Sequence, residues 1–237
     1  IAGCLHIEIS CLKQKEARKA SGVVARKFKK RRLKPKTENQ ADYIRLMADN
    51  IVTLCHGPAG TGKTSVSVGL ACEYLTEGKI KKIIITRPVV ESSRKGLGYL
   101  PGSFKDKIHP YLIPVLEEMD LYLNSQQSKR FLDSDIIEIV PLEYMRGRNF
   151  HNAFMILDEA QNATFEQIKM FITRVGRDSK AVINGDLQQS DLSSNSSCDF
   201  HEIIKRLDKL ENVGIMELTA DDIIRNPIIG KIIDRLI

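Results

Sequence analysis

Residues 51–64 read Ile-Val-Thr-Leu-Cys-His-Gly-Pro-Ala-Gly-Thr-Gly-Lys-Thr. An apolar run, Ile51–Cys55, stops at a glycine-rich loop, His56–Thr64, and a helical pattern with Val66, Val68, Leu70 and Ala71 follows it. Within the loop, Gly57-Pro58-Ala59-Gly60-Thr61-Gly62-Lys63-Thr64 satisfies G-x-x-x-x-G-K-[ST] at every fixed position. The strand before it and the helix after it supply the setting that the motif requires. Glycines let backbone N–H groups curl around a phosphate at a helix N-terminus. Lys63 is then expected to reach the β- and γ-phosphates, and Thr64 to place its hydroxyl on Mg²⁺. The residues Gly57, Pro58, Ala59, Gly60, Thr61, Gly62, Lys63 and Thr64 are thus expected to bind a nucleotide.

Working outward, short apolar strands alternate with helical patterns. A helix is expected over Glu38–Asp49, and strands over Lys82–Thr86, Ile136–Val140, Ala153–Leu157, Ala181–Asn184 and Gly214–Leu218. Further helices are expected at Thr64–Tyr74, Thr164–Arg174, Asp199–Lys209 and Asp221–Leu236, with one or two more over residues 103–123, where Pro110 and Pro114 limit regularity. Near-continuous apolar strands suit a parallel sheet buried on both faces. The expected fold is α/β, a P-loop NTPase with a doubly wound, mostly parallel sheet and helices on both sides.

The second chemical signal is Phe154-Met155-Ile156-Leu157-Asp158-Glu159. An apolar strand ends in two carboxylates, at the edge where open α/β sheets place their ligands. Asp158 is expected to hold the magnesium, through water, and Glu159 to act as general base on an attacking water. An ordinary acidic strand end is the alternative for either residue taken alone. A third strand ends in Gly185-Asp186 with Gln188 and Gln189 just beyond. Gln189 is in a position to hydrogen-bond the γ-phosphate or the lytic water.

Arginines form the fourth group: Arg87 after the second strand, Arg146 and Arg148 around Gly147, Arg174, and Arg225 before Pro227. A guanidinium stabilises charge developing on a transferred phosphoryl group, and a neighbouring subunit often supplies it. Each of these arginines can do that, bind a nucleic-acid phosphate, or pair structurally. The five histidines show no metal-ligand spacing and are read as non-catalytic.

Charge is uneven along the chain. It has 237 residues, with 36 Lys+Arg against 30 Asp+Glu, a net charge of +6. Residues 1–37 carry 12 basic and 2 acidic side chains, a net of +10, which leaves −4 for residues 38–237. Residues 1–37 are read as a basic extension, disordered or partly helical, and residues 38–237 as one ATPase-sized domain. The run Arg26–Lys36 is either a solvated tail or a contact to nucleic acid. The apolar runs are too short to cross a bilayer, and no signal-peptide pattern is seen. Five cysteines without a CxxC pair argue against a disulfide scaffold and for a reducing compartment.

Taken together, the chain from about Pro35 to its end resembles the PhoH-like family of P-loop ATPases, related to the nucleotide-binding half of superfamily 1 helicases. The resemblance is carried by Gly57–Thr64, by Thr86-Arg87-Pro88-Val89-Val90-Glu91, and by Leu97-Gly98-Tyr99-Leu100-Pro101-Gly102. It continues through Pro141–Arg148, Asp158-Glu159-Ala160-Gln161-Asn162, Gln167–Phe171, Thr173–Gly176, Gly185-Asp186 with Gln189, and Arg225-Asn226-Pro227.

The resemblance implies that Asn39-Gln40 reads adenine, with Gln40 on its edge. It also implies that Gln161 completes the second helicase-like motif, and that Gly185, Asp186 and Gln189 couple hydrolysis to nucleic acid. Arg225 corresponds to a finger acting across subunits. The implied fold is RecA-like, and the implied cofactors are ATP and Mg²⁺. The implied partners are RNA or single-stranded nucleic acid and further copies of the chain, as in a hexameric ring, in the cytoplasm of a bacterium or of a phage-infected host. The segment Ser92-Ser93-Arg94-Lys95-Gly96 departs from the family pattern and is more basic. Arg94 and Lys95 therefore join Arg146, Arg148 and Arg174 as nucleic-acid candidates. The alternative function is a nucleotide-gated assembly protein without motor activity.

Overall fold

A computed structural model describes residues 32–88, 104–187 and 199–224, with side chains of the second stretch from residue 113, and residue 235. Six strands form one sheet: β1 (Val52–His56), β2 (Lys82–Thr86), β3 (Ile137–Ile139), β4 (Ala153–Leu157), β5 (Lys180–Gly185) and β6 (Val213–Glu217). All pairings are parallel, in the order β3-β2-β4-β5-β1-β6. The mostly parallel α/β architecture expected from the sequence is the one observed. Because β5 lies between β1 and β4, the segments that follow these three strands emerge side by side at the carboxyl edge.

Among the described residues six helices accompany the strands: α1 (Glu38–Asp49), α2 (Lys63–Thr76), α3 (Phe104–Tyr122), α4 (Ser125–Asp133), α5 (Phe165–Ile172) and α6 (Asp199–Leu207). Strand alternation sends side chains to two cores. Ile83, Ile85, Phe154 and Ile156 face one that includes Tyr43, Met47, Val66, Leu70 and Met119. Ile84, Met155 and Leu157 face another with Ile168, Phe171, Phe200 and Ile203. Each such fully buried side chain contributes about 1.5–3 kcal/mol relative to exposure. Helices therefore cover both faces, and parallel strands with no polar face have no alternative.

Local chemistry sets several helix ends. The Thr37 hydroxyl accepts from the Gln40 N–H at the start of α1. Thr164 and Gln167 form a reciprocal capping box on α5. Most observed ends lie within two residues of those read from the sequence.

Three differences stand out. Helix α3 runs unbroken through Pro110 and Pro114. Each proline costs an interior helix about 3 kcal/mol, and burial of Val115, Met119 and Tyr122 in the first core opposes that cost. Helix α4 was not foreseen. Its sequence, SQQSKRFLD, is polar around most of its circumference, and its N-terminus is fixed by the Asn124 side chain accepting from the Gln127 N–H. The expected helix from Asp221 does not begin there: Ala220–Asp222 is a single 3₁₀ turn, and Ile223 (φ −69°, ψ 113°) is extended. Thr219 and Asp222 bond to each other around that turn, which closes it early. The rest of that expected helix lies outside the described residues apart from residue 235, which is helical.

Candidate functional site

The loop after β1 is built by glycines. Gly60 and Gly62 both adopt φ +88°, a left-handed backbone that side chains resist. A Cβ on Gly57 would lie 2.2 Å from the Leu218 carbonyl oxygen, so the loop seats directly on the backbone beyond β6. Gly62 is the N-cap of α2 and gives it no side-chain cap. The first N–H groups of α2 therefore keep their capacity to bind an acceptor. Thr61 braces the loop through its hydroxyl to the Pro58 carbonyl, 2.9 Å. The Lys63 ammonium folds back on the same loop, donating to the Gly57 (2.5 Å) and Pro58 (2.9 Å) carbonyls. Ala59 is exposed at the tip.

Register brings the carboxylates to this loop. Thr86 pairs with Leu157 and His56 with Gly185, so Arg87, Asp158 and Asp186 follow as neighbours at one edge. The Thr64 hydroxyl donates to Asp158 Oδ1 at 2.8 Å. Arg87 donates to Asp158 Oδ2 from Nε (3.0 Å) and Nη2 (2.6 Å). The Arg87 Nη2 also lies 3.6 Å from Glu159 Oε1. Glu159 sits in the left-handed region (φ 58°, ψ 42°), a conformation uncommon for a residue with a Cβ. That turn leaves the Glu159 side chain 48% exposed while Asp158 is only 2% exposed. Gln161 Nε2 donates to Glu159 Oε2 (2.7 Å), and Gln161 Oε1 accepts from the Asp186 N–H (2.9 Å). Gln161 thus ties the end of β4 to the end of β5.

Segments from both ends of the domain meet over the loop. Gln40 is buried, its Nε2 donating to the Thr61 carbonyl (2.8 Å) and its Oε1 accepting from the Lys36 N–H (2.9 Å). Its amide is therefore engaged with backbone beside the loop. Asp222 accepts from Thr37 Oγ1 (2.5 Å), Asn39 Nδ2 (2.9 Å) and the Thr219 N–H (2.8 Å). Burial opposes its charge, but these hydrogen bonds outweigh that and hold its carboxyl below the usual range. The Ile224 N–H then donates to the Gly60 carbonyl, 3.2 Å.

Sequence reasoning missed a buried relay beneath the loop. Tyr43 Oη donates to Asn184 Oδ1 (2.6 Å), Asn184 Nδ2 donates to Ser67 Oγ (3.0 Å), and Ser67 Oγ donates to the Thr64 carbonyl (3.1 Å). Burial pushes the Tyr43 hydroxyl and the Cys55 thiol upward, so both remain neutral. His56, at the end of β1, is lowered first by burial, with His201 and Lys63 acting in the same direction. The only signal in the sequence was a polar residue, Asn184, within an apolar strand.

The other arginines are placed elsewhere. Arg148 donates to Glu138 Oε2 (2.6 Å) and stacks over the Phe150 ring. Arg174 donates to the Arg148 carbonyl (3.3 Å) and to Thr173. Phe150 precedes β4 and Arg174 precedes β5, so both arginines lie toward the amino edge of the sheet, away from the loop after β1. Arg146 is exposed between them and β3. Gln189, Arg225, Arg94 and Lys95 lie outside the described residues.

The residues present fit a nucleoside triphosphate with Mg²⁺. The uncapped helix start, Lys63 and Arg87 suit phosphate oxygens. The Thr64 hydroxyl and Asp158 carboxylate are hard oxygen donors within 2.8 Å of each other, the type that magnesium takes alongside phosphates and water. Among the described residues no cluster of three or more His, Cys, Asp or Glu offers a competing metal cage.

Fold and site together define the class: a parallel α/β core of the RecA-like P-loop NTPase kind. Sequence comparison is more specific. The family model for PhoH-like proteins covers residues 32–236, and the chain belongs to the PhoH-like family, a family related to P-loop ATPases. It is 41% identical over 211 residues to a PhoH-like protein of Bacillus subtilis (strain 168), covering 89% of this chain and 66% of that one. It is 37% identical over 193 residues to Protein PhoH of Escherichia coli (strain K12), covering 81% and 54%. The chain thus spans just over half to about two thirds of the length of these relatives. Among solved structures, the large terminase from a thermophilic bacteriophage superposes with a TM-score of 0.56 at 14% identity, covering 86% of this chain and 51% of the terminase. That likeness is one of fold.

Proposed function

We propose that this chain hydrolyses ATP to ADP and phosphate, and that it couples hydrolysis to RNA or single-stranded nucleic acid as part of an oligomer in the cytoplasm. The observation that carries the hydrolytic reading is the Thr64–Asp158 hydrogen bond beside Glu159, whose side chain stands in solvent next to a buried Asp158.

The roles follow from the chemistry of each group. The N–H groups at the start of α2 hold phosphate oxygens. Lys63 leaves the Gly57 and Pro58 carbonyls and turns to the β- and γ-phosphates. Thr64 and Asp158 hold Mg²⁺, which when bound neutralises charge on the phosphates. Glu159 accepts a proton from the attacking water while the γ-phosphorus bond to the leaving diphosphate oxygen breaks. Gln161 orients Glu159 through their 2.7 Å hydrogen bond. The Asn39–Gln40 segment stands beside the loop, where it would meet the adenine edge. Gln189 and Arg225 complete the proposal as a γ-phosphate reader and a finger acting across subunits. Arg94, Lys95, Arg146, Arg148 and Arg174 remain the candidates for nucleic acid.

In the proposed oligomer a neighbouring copy supplies the second face that a translocating motor opens and closes. The test is phosphate release with and without poly-uridylate or single-stranded DNA, with mass measured in parallel. Stimulation, together with a fall in specific activity on dilution below the assembly concentration, is the expected result. No stimulation combined with nucleotide-dependent assembly would replace the motor reading with a nucleotide-gated assembly protein.

A further inference from the structure

We propose that Arg87 is a resident counter-cation: its guanidinium occupies the Asp158–Glu159 carboxylate pair in the nucleotide-free protein and leaves Asp158 when a divalent metal enters. The inference rests on the reading of Asp158 as the metal carboxylate, and it adds an exchange of cations that controls when metal binds.

Burial makes a standing cation necessary. Asp158 is 2% exposed, and an unpaired carboxylate so deep would be strongly penalised. Both of its oxygens are engaged: Oδ1 accepts the Thr64 hydroxyl, and Oδ2 accepts two N–H groups of Arg87. The same guanidinium approaches Glu159, so one side chain faces both carboxylates. Lys63 does not share this duty, because its ammonium donates to the Gly57 and Pro58 carbonyls. Sheet register sets the two residues side by side: Thr86 lies opposite Leu157, and the next residue on each strand is Arg87 or Asp158.

A divalent ion held by Thr64 and Asp158 would meet this guanidinium at close range. Like charges repel, and both Asp158 oxygens already have donors. Arg87 therefore competes with metal in the nucleotide-free protein. Metal that arrives with phosphates brings negative charge, and the released guanidinium has a new partner there. The buried carboxylate is paired before and after the exchange. The Arg87 side chain is 19% exposed, so its head group is not sealed inside the core.

The test is Mn²⁺ binding followed by electron paramagnetic resonance on the nucleotide-free protein, comparing wild type, R87Q, R87K and the double variant R87Q/D158N. A fluorescent ATP analogue with Mg²⁺ is titrated in parallel. Removing the guanidinium should tighten Mn²⁺ binding about tenfold, equivalent to about 1.4 kcal/mol. R87K keeps the charge but loses the forked contact and should show a smaller gain. The gain should vanish in R87Q/D158N. Unchanged or weaker Mn²⁺ binding in R87Q would overturn the proposal, and so would the absence of any gain in R87K if R87Q does not fold. These outcomes count against the exchange alone while wild type still binds the ATP analogue. If wild type binds no analogue in the presence of Mg²⁺, the nucleotide reading itself has failed.

Discussion

Gly62 and Gly78 provide a matched pair for testing how the loop after β1 is held. Both have left-handed backbones, with φ +88° and +72°. Alanine at either position is strained by about 1–2 kcal/mol. At Gly78 nothing lies within 4 Å of the added Cβ, so strain is the whole effect. At Gly62 the Cβ would sit 2.7 Å from Gln40 Nε2. Gln40 must then move, and it gives up its bonds to the Thr61 carbonyl and the Lys36 N–H. At about 1 kcal/mol per lost hydrogen bond, Gly62→Ala costs about 2 kcal/mol more than Gly78→Ala. For a chain of this size, 1 kcal/mol corresponds to about 2–4 °C in Tm. Gly78→Ala should therefore lower Tm by about 2–8 °C and Gly62→Ala by about 4–8 °C more. A fluorescent ATP analogue should bind Gly78→Ala normally and Gly62→Ala at least about tenfold more weakly, because the N-cap of α2 is displaced. Equal Tm shifts, or normal nucleotide binding by Gly62→Ala, would refute the claim that Gln40 and the loop are packed as one unit.

Other perturbations test separate parts of the account. Tyr43→Phe leaves Asn184 Oδ1 buried without its 2.6 Å donor and should cost about 1–3 kcal/mol, read by thermal unfolding. Gly185→Ala places a Cβ 2.5 Å from the Phe200 ring and 3.2 Å from Gln161 Oε1. It should destabilise by about 1–3 kcal/mol and lower turnover more than nucleotide affinity, measured by Tm and steady-state kinetics. Asp222 is depressed in the folded state, so its contribution to stability is present above its unfolded pKa and disappears as pH falls through the lower folded value. Denaturant titrations from about pH 6 downward should therefore show a shallower acid loss in Asp222→Asn than in wild type.

Much of the candidate site was legible because its chemistry is local. The loop Gly57–Thr64 is a contiguous motif, and Asp158-Glu159 ends a strand whose apolar run announces it. Parallel strands buried on both faces have little freedom in sequence, so β2 and β4 were placed to the residue. What stayed hidden joins distant parts of the chain. Tyr43 and Asn184 are 141 residues apart, Thr37 and Asp222 are 185 apart, and Arg87 and Asp158 are 71 apart. Strand order and register make these contacts, and neither is written in local periodicity. The α4 helix was missed for a different reason: its few apolar residues, Phe131 and Leu132, cluster at one end, so no helical stripe marks it. The helix expected from Asp221 starts instead in a 3₁₀ turn, Ala220–Asp222, whose acidic residues resemble a helix N-terminus.

The most direct test of the central claim compares Mg²⁺-dependent phosphate release by wild type and Glu159→Gln, with binding of the ATP analogue measured on the same samples. The amide, unable to accept a proton, should lower turnover by about 10²-fold or more while nucleotide affinity is retained. Full turnover in folded Glu159→Gln would contradict the assignment of the base, and absence of turnover in wild type under assembly conditions would contradict hydrolysis itself.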